Sequence, residues 1–433
     1  MLDHLSTRRV FLHRGMSLLA VSATIPTFLD NTMMALGADT SRVQQPTGKD
    51  GKILVVVQLS GGNDGLNTII PFADDVYYRS RSNIAHDAKT VIKLDDYVGL
   101  HPNLKPLRDL MDKNMLSVVQ GVGYPNPNRS HFRSMDIWQS GNPESEVVTT
   151  GWVGRYFDNA CPGCDPQVGL AVGDQLPLAM KGEKVTPLSF DKPENFRYNG
   201  PDASKYQSLN TADGTAPATQ PAAGIRKPGA KPQIITPGSQ LEFLTRTAMD
   251  AQISSDDILR MTRNHAPATA YPPNEFGEGL RTVAAMIKGG LPTRVYYVTL
   301  GGFDTHAGER NRHDQLMQQF AQGVGAFWQD MQDQKNHQRV LMMTFSEFGR
   351  RVASNASGGT DHGAAAPMFL MGPACKQPIV GKHPSLTDLD GGGDLKFAID
   401  FRSIYATVLQ NWLETPSKPI LGNQFPTLPV IKA

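Results

Sequence analysis

Short runs of apolar, mostly β-branched residues recur along the chain. These runs predict five strands, at Ile53–Leu59, Leu116–Gly121, Val295–Leu300, Val340–Phe345 and Met368–Met371. A run that is apolar at every position is typical of a strand buried on both faces, as in a parallel sheet covered by helices. We therefore expect an α/β fold with a mainly parallel central sheet and helices on both faces.

Segments with helical periodicity lie between these runs. Residues Leu104–Met111 and Phe132–Trp138 can form helices, and a helical pair is predicted near Leu241–Thr262 and Phe276–Lys288. A further helix has apolar residues at steps of three and four, namely Leu316, Phe320, Val324, Phe327 and Met331. A stripe of this kind is expected to pack against the core.

Residues 199–240 interrupt the pattern, because they are rich in Pro, Gly, Ala, Thr and Ser and have no apolar period. Such a composition predicts a long loop or a partly disordered insertion, which either caps a site or runs over the surface. The length of the chain allows one large α/β domain or two smaller ones. We expect a single domain at residues 39–433 that contains this insertion.

The first 38 residues have the features of an export signal. Ser6–Leu12 (STRRVFL) contains a pair of arginines, Gly15–Leu29 is weakly apolar, and small residues follow at Ala35–Ala38. The apolar stretch is too short and too polar to cross a membrane, so we expect a twin-arginine signal peptide rather than an anchor. The alternative is an ordinary basic, amphipathic N-terminus. Twin-arginine export predicts a periplasmic or other extracytoplasmic protein without a transmembrane anchor.

Charge and cysteine content narrow the class of partner. The 42 basic and 41 acidic residues give a formal net charge of +1, which disfavours a nucleic acid as partner. Cys161 and Cys164 form a CxxC sequence that is expected to be a disulfide in an oxidising compartment, with Cys375 free and buried. A redox or metal-binding pair is the alternative for the two neighbouring cysteines. The sequence does not predict an oligomeric state.

Candidate chemistry is concentrated in four short strings of the sequence, at residues 61–65, 128–132, 301–306, and 344–349 together with 359–363. The first, third and fourth directly follow an apolar run. Their side chains that suit catalysis or metal binding are Asp64, Arg129, Ser130, His131, Asp304, His306, Glu347, Asp361 and His362. In open α/β sheets, sites form at the edge where parallel strands end. We therefore expect the strings to meet at that edge.

Carboxylates and imidazoles of this kind are ligands for Zn, Mn, Mg or Ca, and the set predicts one or two divalent ions. Each residue also has a structural alternative. Asp64 and Asp361 lie beside glycines and can form turns, His306 can be a satisfied polar residue, and Glu347 can pair with a nearby arginine at a helix cap. Their shared position after strands favours the metal site.

Ser130 lies where a helix is predicted to begin. It is therefore either the N-cap of that helix or a nucleophile, since helix amides and Arg129 would stabilise an incoming anion there. The surrounding sequence has no Gly-x-Ser-x-Gly motif, which disfavours a serine–histidine–acid hydrolase. His131 either acts as a base or only flanks the serine.

The chain resembles the bacterial family known as domain of unknown function 1501. The similarity is carried by the twin-arginine start and by the strings GGNDGLNTIIP, NRSHFRSMDIWQSG, GGFDTH, TFSEFGRR and GTDHG, with a late Asp400–Arg402. That family is itself similar to the alkaline phosphatase and sulfatase superfamily. The resemblance implies an alkaline phosphatase-like fold, an Asp ligand after the first strand, a Ser or Thr nucleophile at a helix start, and later Asp and His ligands.

Carried over to this chain, the resemblance implies that Asp64 is the first metal ligand and Ser130 the nucleophile. Asp304 and His306 match an Asp-x-x-x-His pair, but they are spaced here as Asp-x-His. Glu347 takes the position of the aspartate in an Asp-His pair, and Phe348 takes the position where the resemblance leads one to expect the histidine. His362 is then the late histidine ligand, or Asp361 and His362 form the displaced pair.

The sequence therefore predicts an exported, metal-dependent hydrolase of phosphate or sulfate esters, with a small molecule or a polymer as substrate. Arg129 would hold a non-bridging oxygen of the ester. The alternative is an exported binding or assembly protein that retains the fold with a degenerate metal site, because fold alone does not fix chemistry.

Overall fold

The structure of the chain, a computed structural model, describes residues 51–145, 147–161, 164, 166–195 and 255–432. The predicted signal peptide, the insertion at residues 199–240 and the first part of the predicted helix Leu241–Thr262 lie outside the described residues. Residues 255–263, at the end of that predicted helix, are helical.

The strands of the described residues include all five runs predicted from the sequence, with ends that differ by up to two residues. In chain order they are β1 (Ile53–Ser60), β2 (Ile69–Ile70), β3 (Ile92–Lys93), β4 (Gly99–Leu100), β5 (Leu116–Gly123), β6 (Gly169–Val172), β7 (Leu188–Phe190), β8 (Val295–Gly301), β9 (Val340–Phe345), β10 (Arg350–Ser354), β11 (Thr360–His362), β12 (Ala366–Met371), β13 (Ile379–Val380) and β14 (Ile399–Asp400).

The α-helices confirm the segments predicted from helical periodicity within the described residues. Those with both ends in the described part of the chain are α1 (Gly65–Thr68), α2 (Asp75–Ser80), α3 (Lys105–Asp112), α4 (His131–Ser140), α5 (Trp152–Ala160), α6 (Glu275–Gly289), α7 (Glu309–Asp333), α8 (Phe401–Thr407) and α9 (Lys418–Leu421).

The central sheet has the strand order β13-β5-β12-β9-β1-β8-β6-β7, and β14 also pairs with β5. Strand β1 is parallel to both of its neighbours, β8 and β9. Strand β12 is antiparallel to β5 and β9, so the apolar run at Met368–Met371 is the exception to the parallel pattern. The predicted α/β class with a mainly parallel sheet is confirmed.

Apolar side chains cover both faces of this sheet. Along β1, Val55 and Val57 point to a core that contains residues of α3, α6 and α7. Leu54 and Val56 point to a second core, which contains residues of α4, α5 and α8. Removal of this apolar surface from water is the main driving force for the arrangement. The predicted stripe on α7 is buried in the first core.

The ends of β1 and β8 are in close backbone contact. Gly61 and Gly62 follow β1 with φ angles of +119° and +78°, which favour glycine. A Cβ atom on Gly61 would lie 2.4 Å from the amide nitrogen of Asp304. The turn after β1 therefore has no room for a side chain, and this contact fixes the position of Asp304.

A buried charged cluster lies beneath the same turn. Arg81, at the end of α2, donates hydrogen bonds to both carboxylate oxygens of Asp64, and both side chains have no exposed surface. Glu309, the first residue of α7, accepts a hydrogen bond from Thr360 and also hydrogen-bonds Asp64. The cluster connects the end of β1 with α2, α7 and β11.

The carboxylates of this cluster have opposite pKa shifts. Burial acts to raise the pKa of Asp64, but the charge and hydrogen bonds of Arg81 hold that pKa well below its usual range. Burial, followed by the negative charge of Asp64, raises the pKa of Glu309 to about 9. Glu309 Oε1 has no N–H or O–H donor within reach, which fits a protonated oxygen that donates to Asp64.

Two further expectations concern cysteines and membrane spans. Cys161 and Cys164 form a disulfide, and Cys375 is free and buried, as predicted. In the part of the chain that the structure describes, no helix combines the length and the apolar composition that a membrane span requires.

We expect Gly61→Ala to lower the free energy of unfolding by about 3 kcal/mol, because the new side chain would collide with the backbone at Asp304. Gly173→Ala is the matched control, since a Cβ there meets nothing within 4 Å. Urea denaturation of both variants measures the difference. Equal stability of the two variants would contradict this close contact.

We expect Glu309→Gln to flatten the dependence of stability on pH. In the wild type the folded state keeps a proton that the unfolded chain loses, so stability falls as pH rises from 4.5 towards about 9. The amide cannot ionise, so this fall should disappear in the variant. Urea denaturation at several pH values in that window tests it, with Glu275→Gln, on the surface of α6, as control. An unchanged pH dependence in Glu309→Gln would show that the buried carboxyl is already ionised at neutral pH.

Candidate metal centre

The predicted site residues meet at the edge where β1, β8 and β9 end. Asp304 and His306 follow β8, and Glu347 follows β9. The start of α4 brings His131 to this edge, and the antiparallel pair β10 and β11 brings His362. The fold thus brings residues from these separate strings to one edge of the sheet.

Three imidazole rings point their Nε2 atoms at one carboxylate oxygen, Oδ1 of Asp304. The distances to this oxygen are 3.4 Å from His131, 3.2 Å from His306 and 3.2 Å from His362. The Nε2 atoms of His306 and His362 are 2.9 Å apart. His131, Asp304 and His362 together have the spacing of a group that could hold a metal ion.

The other ring nitrogen of each histidine, Nδ1, faces an oxygen atom. Nδ1 of His362 is 2.8 Å from the carbonyl oxygen of Arg129, and Nδ1 of His131 is 2.9 Å from Glu347 Oε1. Nδ1 of His306 lies 3.4 Å from Asp361 Oδ1. The first two oxygens accept hydrogen bonds, so in neutral His362 and His131 the proton is on Nδ1 and Nε2 carries a lone pair.

Lone pairs that face one another and a carboxylate repel unless a cation or a proton lies between them. Nε2 of His131 is buried and has no hydrogen-bond partner. Ligand atoms around a tetrahedral zinc ion, with bonds of about 2.0 to 2.2 Å, are separated by about 3.3 to 3.5 Å. The separations observed here, 2.9 to 3.4 Å, are similar. The donor group formed by His131, Asp304, His306 and His362 therefore fits a divalent metal ion.

The electrostatics keep the donors in the forms that bind a metal. Burial opposes ionisation of Asp304, but the hydrogen bond and positive charge of Arg350 outweigh it and lower the pKa of Asp304 to about 2. Burial lowers the pKa of His362. Asp304 is thus ionised and His362 neutral at pH 7, as coordination requires.

Glu347 and Asp361 support the imidazoles from outside the donor group. Glu347 is almost fully buried, and its Oε1 accepts hydrogen bonds from the amide of Gly61 at 2.8 Å and from His131. No helix follows Glu347, so it is not the helix-cap partner of an arginine. A carboxylate that binds the outer nitrogen of a metal-binding histidine fixes its tautomer and orientation.

Phe348 occupies the place where the family resemblance leads one to expect a histidine. Its ring is buried and packs against the rings of His131 and His362, with centroid distances of 4.9 Å and 4.5 Å. The aromatic side chain therefore cannot be a ligand, but it restricts the rotation of two histidines in the donor group.

Ser130 is at the N-cap position of α4, but its hydroxyl makes no capping hydrogen bond. The side chain is exposed, and the amide of Ser130 is held by Asn128 Oδ1 at 2.8 Å. Arg129 donates from Nε to Asp394 Oδ2 at 2.6 Å. The structure thus leaves the hydroxyl of Ser130 exposed at the start of the helix, one residue before His131, while Arg129 binds a carboxylate of the protein.

Asp64 does not join the donor group. Both of its oxygens bind Arg81, and the side chain of Asp64 also accepts a hydrogen bond from the amide of Leu66 at 3.2 Å, as the N-cap of α1. The ligand role that the resemblance implies for Asp64 is therefore not supported by its contacts, and the local alternative, a residue that shapes the turn beside glycine, describes it better.

A second group of possible ligands consists of His86, His101 and Asp314. Asp314 Oδ1 lies 2.8 Å from His101 Nε2 and 3.5 Å from His86 Nε2. The amide of Asn103 donates to His101 Nδ1 at 3.0 Å, so neutral His101 has its proton on Nε2 and donates it to Asp314. This tautomer leaves Nε2 of His101 without a lone pair for a metal, and we interpret the group as a hydrogen-bonded cluster.

Sequence reasoning missed the residues that hold the site together. In the sequence, Arg350 is one of two arginines that can pair with Glu347, and no pattern indicates a role for Asp394, Arg81 or Glu309. Their partners are far away along the chain, so no local spacing indicates them. The GRR sequence after Glu347 is the one local signal, since buried arginines require several acceptors.

Comparison with known proteins gives the following similarities. A family described as "Protein of unknown function (DUF1501)" matches residues 231–417. No curated protein matches the chain. Among solved structures, a protein of the alkaline phosphatase superfamily from Vibrio parahaemolyticus is similar with 8% identity and a TM-score of 0.36, over 91% of this chain and 76% of that chain.

Two enzymes give comparable values. The sulfatase PsFucS1 from Pseudoalteromonas sp. is similar with 11% identity and a TM-score of 0.36, over 94% of this chain and 75% of that chain. The lipoteichoic acid synthase LtaP from Listeria monocytogenes is similar with 10% identity and a TM-score of 0.34, over 93% and 80% of the two chains. At these scores, the chemistry of the site rests on the geometry of this chain alone. The resemblance carried by the sequence motifs is confirmed for residues 231–417, where the DUF1501 family model matches the chain.

Proposed function

We propose that this protein is a metal-dependent hydrolase of phosphate or sulfate esters. The observation that carries the proposal is the convergence of three Nε2 atoms on Asp304 Oδ1, with Nδ1 of His131 and of His362 each hydrogen-bonded to an oxygen. A structural role does not explain why the buried Nε2 of His131, which has no hydrogen-bond partner, faces this carboxylate oxygen at 3.4 Å. The motifs that resemble the alkaline phosphatase and sulfatase superfamily favour this reaction class.

In the proposed site, His131, Asp304 and His362 hold the metal, with His306 at its edge. His131 is then a ligand rather than a base. A bound Zn, Mn, Mg or Ca ion would supply Lewis acidity, which polarises the ester and favours ionisation of a nearby hydroxyl. Glu347, Asp361 and the carbonyl of Arg129 keep the imidazoles in the tautomer that exposes Nε2.

Ser130 is the proposed nucleophile, because its hydroxyl is exposed and free of a capping bond. Its oxygen forms a bond to phosphorus or sulfur while the bond to the alcohol oxygen breaks, and the hydroxyl proton ends on the departing alcohol. Water then cleaves the serine ester, which releases phosphate or sulfate and restores the hydroxyl.

The start of α4 suits an anionic substrate. The first amides of an α-helix have no partner within the helix, and the helix dipole favours negative charge there. Arg129 precedes the serine, and Arg351 shares the carboxylate of Asp394 with Arg129; each has roughly two fifths of its side chain exposed (38% and 40%), so both add positive charge to this region. These features favour a phosphate or sulfate group over a neutral ester. Export through the twin-arginine motif is part of the same proposal.

We expect the purified protein to bind about one divalent ion or more per chain, and Asp304→Ala or His362→Ala to lose it, because each removes a donor. Elemental analysis after incubation with Zn, Mn, Mg or Ca and gel filtration measures the stoichiometry. His337→Ala, which removes a histidine far from the donor group in sequence and bonded to Gln338, should retain the metal. A wild-type protein that retains none of these ions would refute the proposal and favour the non-catalytic binding protein.

We expect Ser130→Ala to reduce the turnover of a susceptible phosphate or sulfate ester by at least about a thousandfold, because the covalent step is lost. Metal content should stay at the wild-type level, since Ser130 is not a proposed ligand. Ser385→Ala, an exposed serine in another loop, is the control and should retain full activity. A Ser130→Ala protein with normal turnover would exclude the serine as nucleophile.

A further inference from the structure

Asp394 is a buried carboxylate that lies outside the donor group and binds two arginines adjoining it. Its side chain has no exposed surface (0%). Oδ2 accepts a hydrogen bond from Arg129 Nε at 2.6 Å, and Oδ1 lies 3.4 Å from Arg351 Nε. Arg129 precedes Ser130 and Arg351 follows Arg350, so one carboxylate is connected to both sides of the site.

The loop that carries Asp394 is shaped around these arginines. Asp390 Oδ1 accepts hydrogen bonds from the amides of Gly392 and Asp394, both at 2.8 Å. The carbonyl of Gly392 accepts from Nη2 of Arg129 at 3.4 Å and of Arg351 at 3.2 Å. A Cβ atom on Gly392 would lie 2.2 Å from Arg129 Nη2. A side chain at position 392 would therefore require the guanidinium of Arg129 to move.

The main chain of Arg129 reaches the donor group directly. Its carbonyl oxygen accepts the hydrogen bond from His362 Nδ1 at 2.8 Å, while Nε2 of the same ring points to Asp304 at 3.2 Å. Arg129 lies in a segment without regular secondary structure between β5 and α4. The ion pair with Asp394 therefore anchors a carbonyl that would otherwise depend on an irregular loop for its position.

We propose that Asp394 is a positioning residue, which acts through Arg129 to hold His362 in the orientation and tautomer that bind a metal. The inference deepens the proposed function and rests on it, because it concerns the same donor group. Arg129 then has two roles, since its carbonyl positions His362 and its positive charge favours an anionic substrate. Loss of an outer partner of a metal-binding histidine lowers metal affinity by about 10- to 100-fold.

The test is the zinc affinity of the full chain, measured by competition with a chromogenic chelator. Asp394→Asn keeps the shape of the side chain but removes its charge, and we expect affinity to fall by about 10- to 100-fold. In ¹⁵N NMR of the histidine rings without metal, the Nδ1–H form of His362 should lose population. Asp388→Asn is the matched control, since this exposed carboxylate of the same loop pairs with Lys396, and it should change neither readout.

A second variant shows whether Asp394 acts through Arg129. Arg129→Lys keeps a positive charge but cannot reproduce the hydrogen bonds from Nε and Nη2, so zinc affinity should fall in the same way. The double variant should bind zinc no more weakly than either single variant, because both changes break one connection. If Asp394→Asn does not fold, Arg129→Lys tests the proposal alone. A fall in its zinc affinity supports the positioning role, and wild-type zinc affinity overturns it.

The two proposals fail in different ways. Wild-type zinc affinity and an unchanged His362 tautomer in Asp394→Asn would overturn the positioning role and leave the metal site intact. A fall in thermal stability without a change in affinity or tautomer would overturn it too, because it would show a purely structural role. If the wild type binds none of Zn, Mn, Mg and Ca, the proposed function fails, and the NMR comparison of His362 still decides whether Asp394 orients this ring.

Discussion

The guanidinium of Arg350 is the interaction on which the geometry of the site depends. It is fully buried, and it donates to carbonyl oxygens of the turn after β1 (Gly61 and Gly62), the end of β8 (Phe303) and β11 (Thr360). Its bond to Asp304 Oδ1, at 2.9 Å, adds the central carboxylate. A buried charge of this kind is stable only when its donors are satisfied. Three segments of backbone are therefore held at fixed distances by one side chain.

The imidazoles are arranged on this frame by acceptors of three different kinds. A buried carboxylate binds His131, a peptide carbonyl binds His362, and an exposed carboxylate faces His306. Each acceptor determines which nitrogen carries the proton, so the direction of the lone pairs is a property of the surroundings rather than of the histidines. The aromatic ring of Phe348 adds steric restraint. The site is thus defined as much by its outer partners as by the four donors.

The sequence predicts the sheet well because burial on both faces favours apolar residues at most positions of β1, β8 and β9. It also leads one to expect Asp304 and His362 at one edge of the sheet, and the structure brings them within 3.2 Å of each other there. It gives no means to separate Asp64 from Asp304, since both end a Gly-Gly-x-Asp sequence after a strand, yet Asp64 binds Arg81. The pairs Arg350 with Asp304 and Arg129 with Asp394 span 46 and 265 residues. Contacts over such separations are set by tertiary packing, which leaves no periodic signal in the chain.

The donors come from segments that adjoin only after folding, since His131 and His362 lie on opposite sides of β8 in the sequence. The unfolded chain cannot present them together, so an ion at this site would bind the folded state alone. By mass action, each tenfold rise in free metal concentration above the dissociation constant would then add about 1.4 kcal/mol to the free energy of unfolding. The thermal stability of such a protein reports the metal supply of the compartment in which it folds.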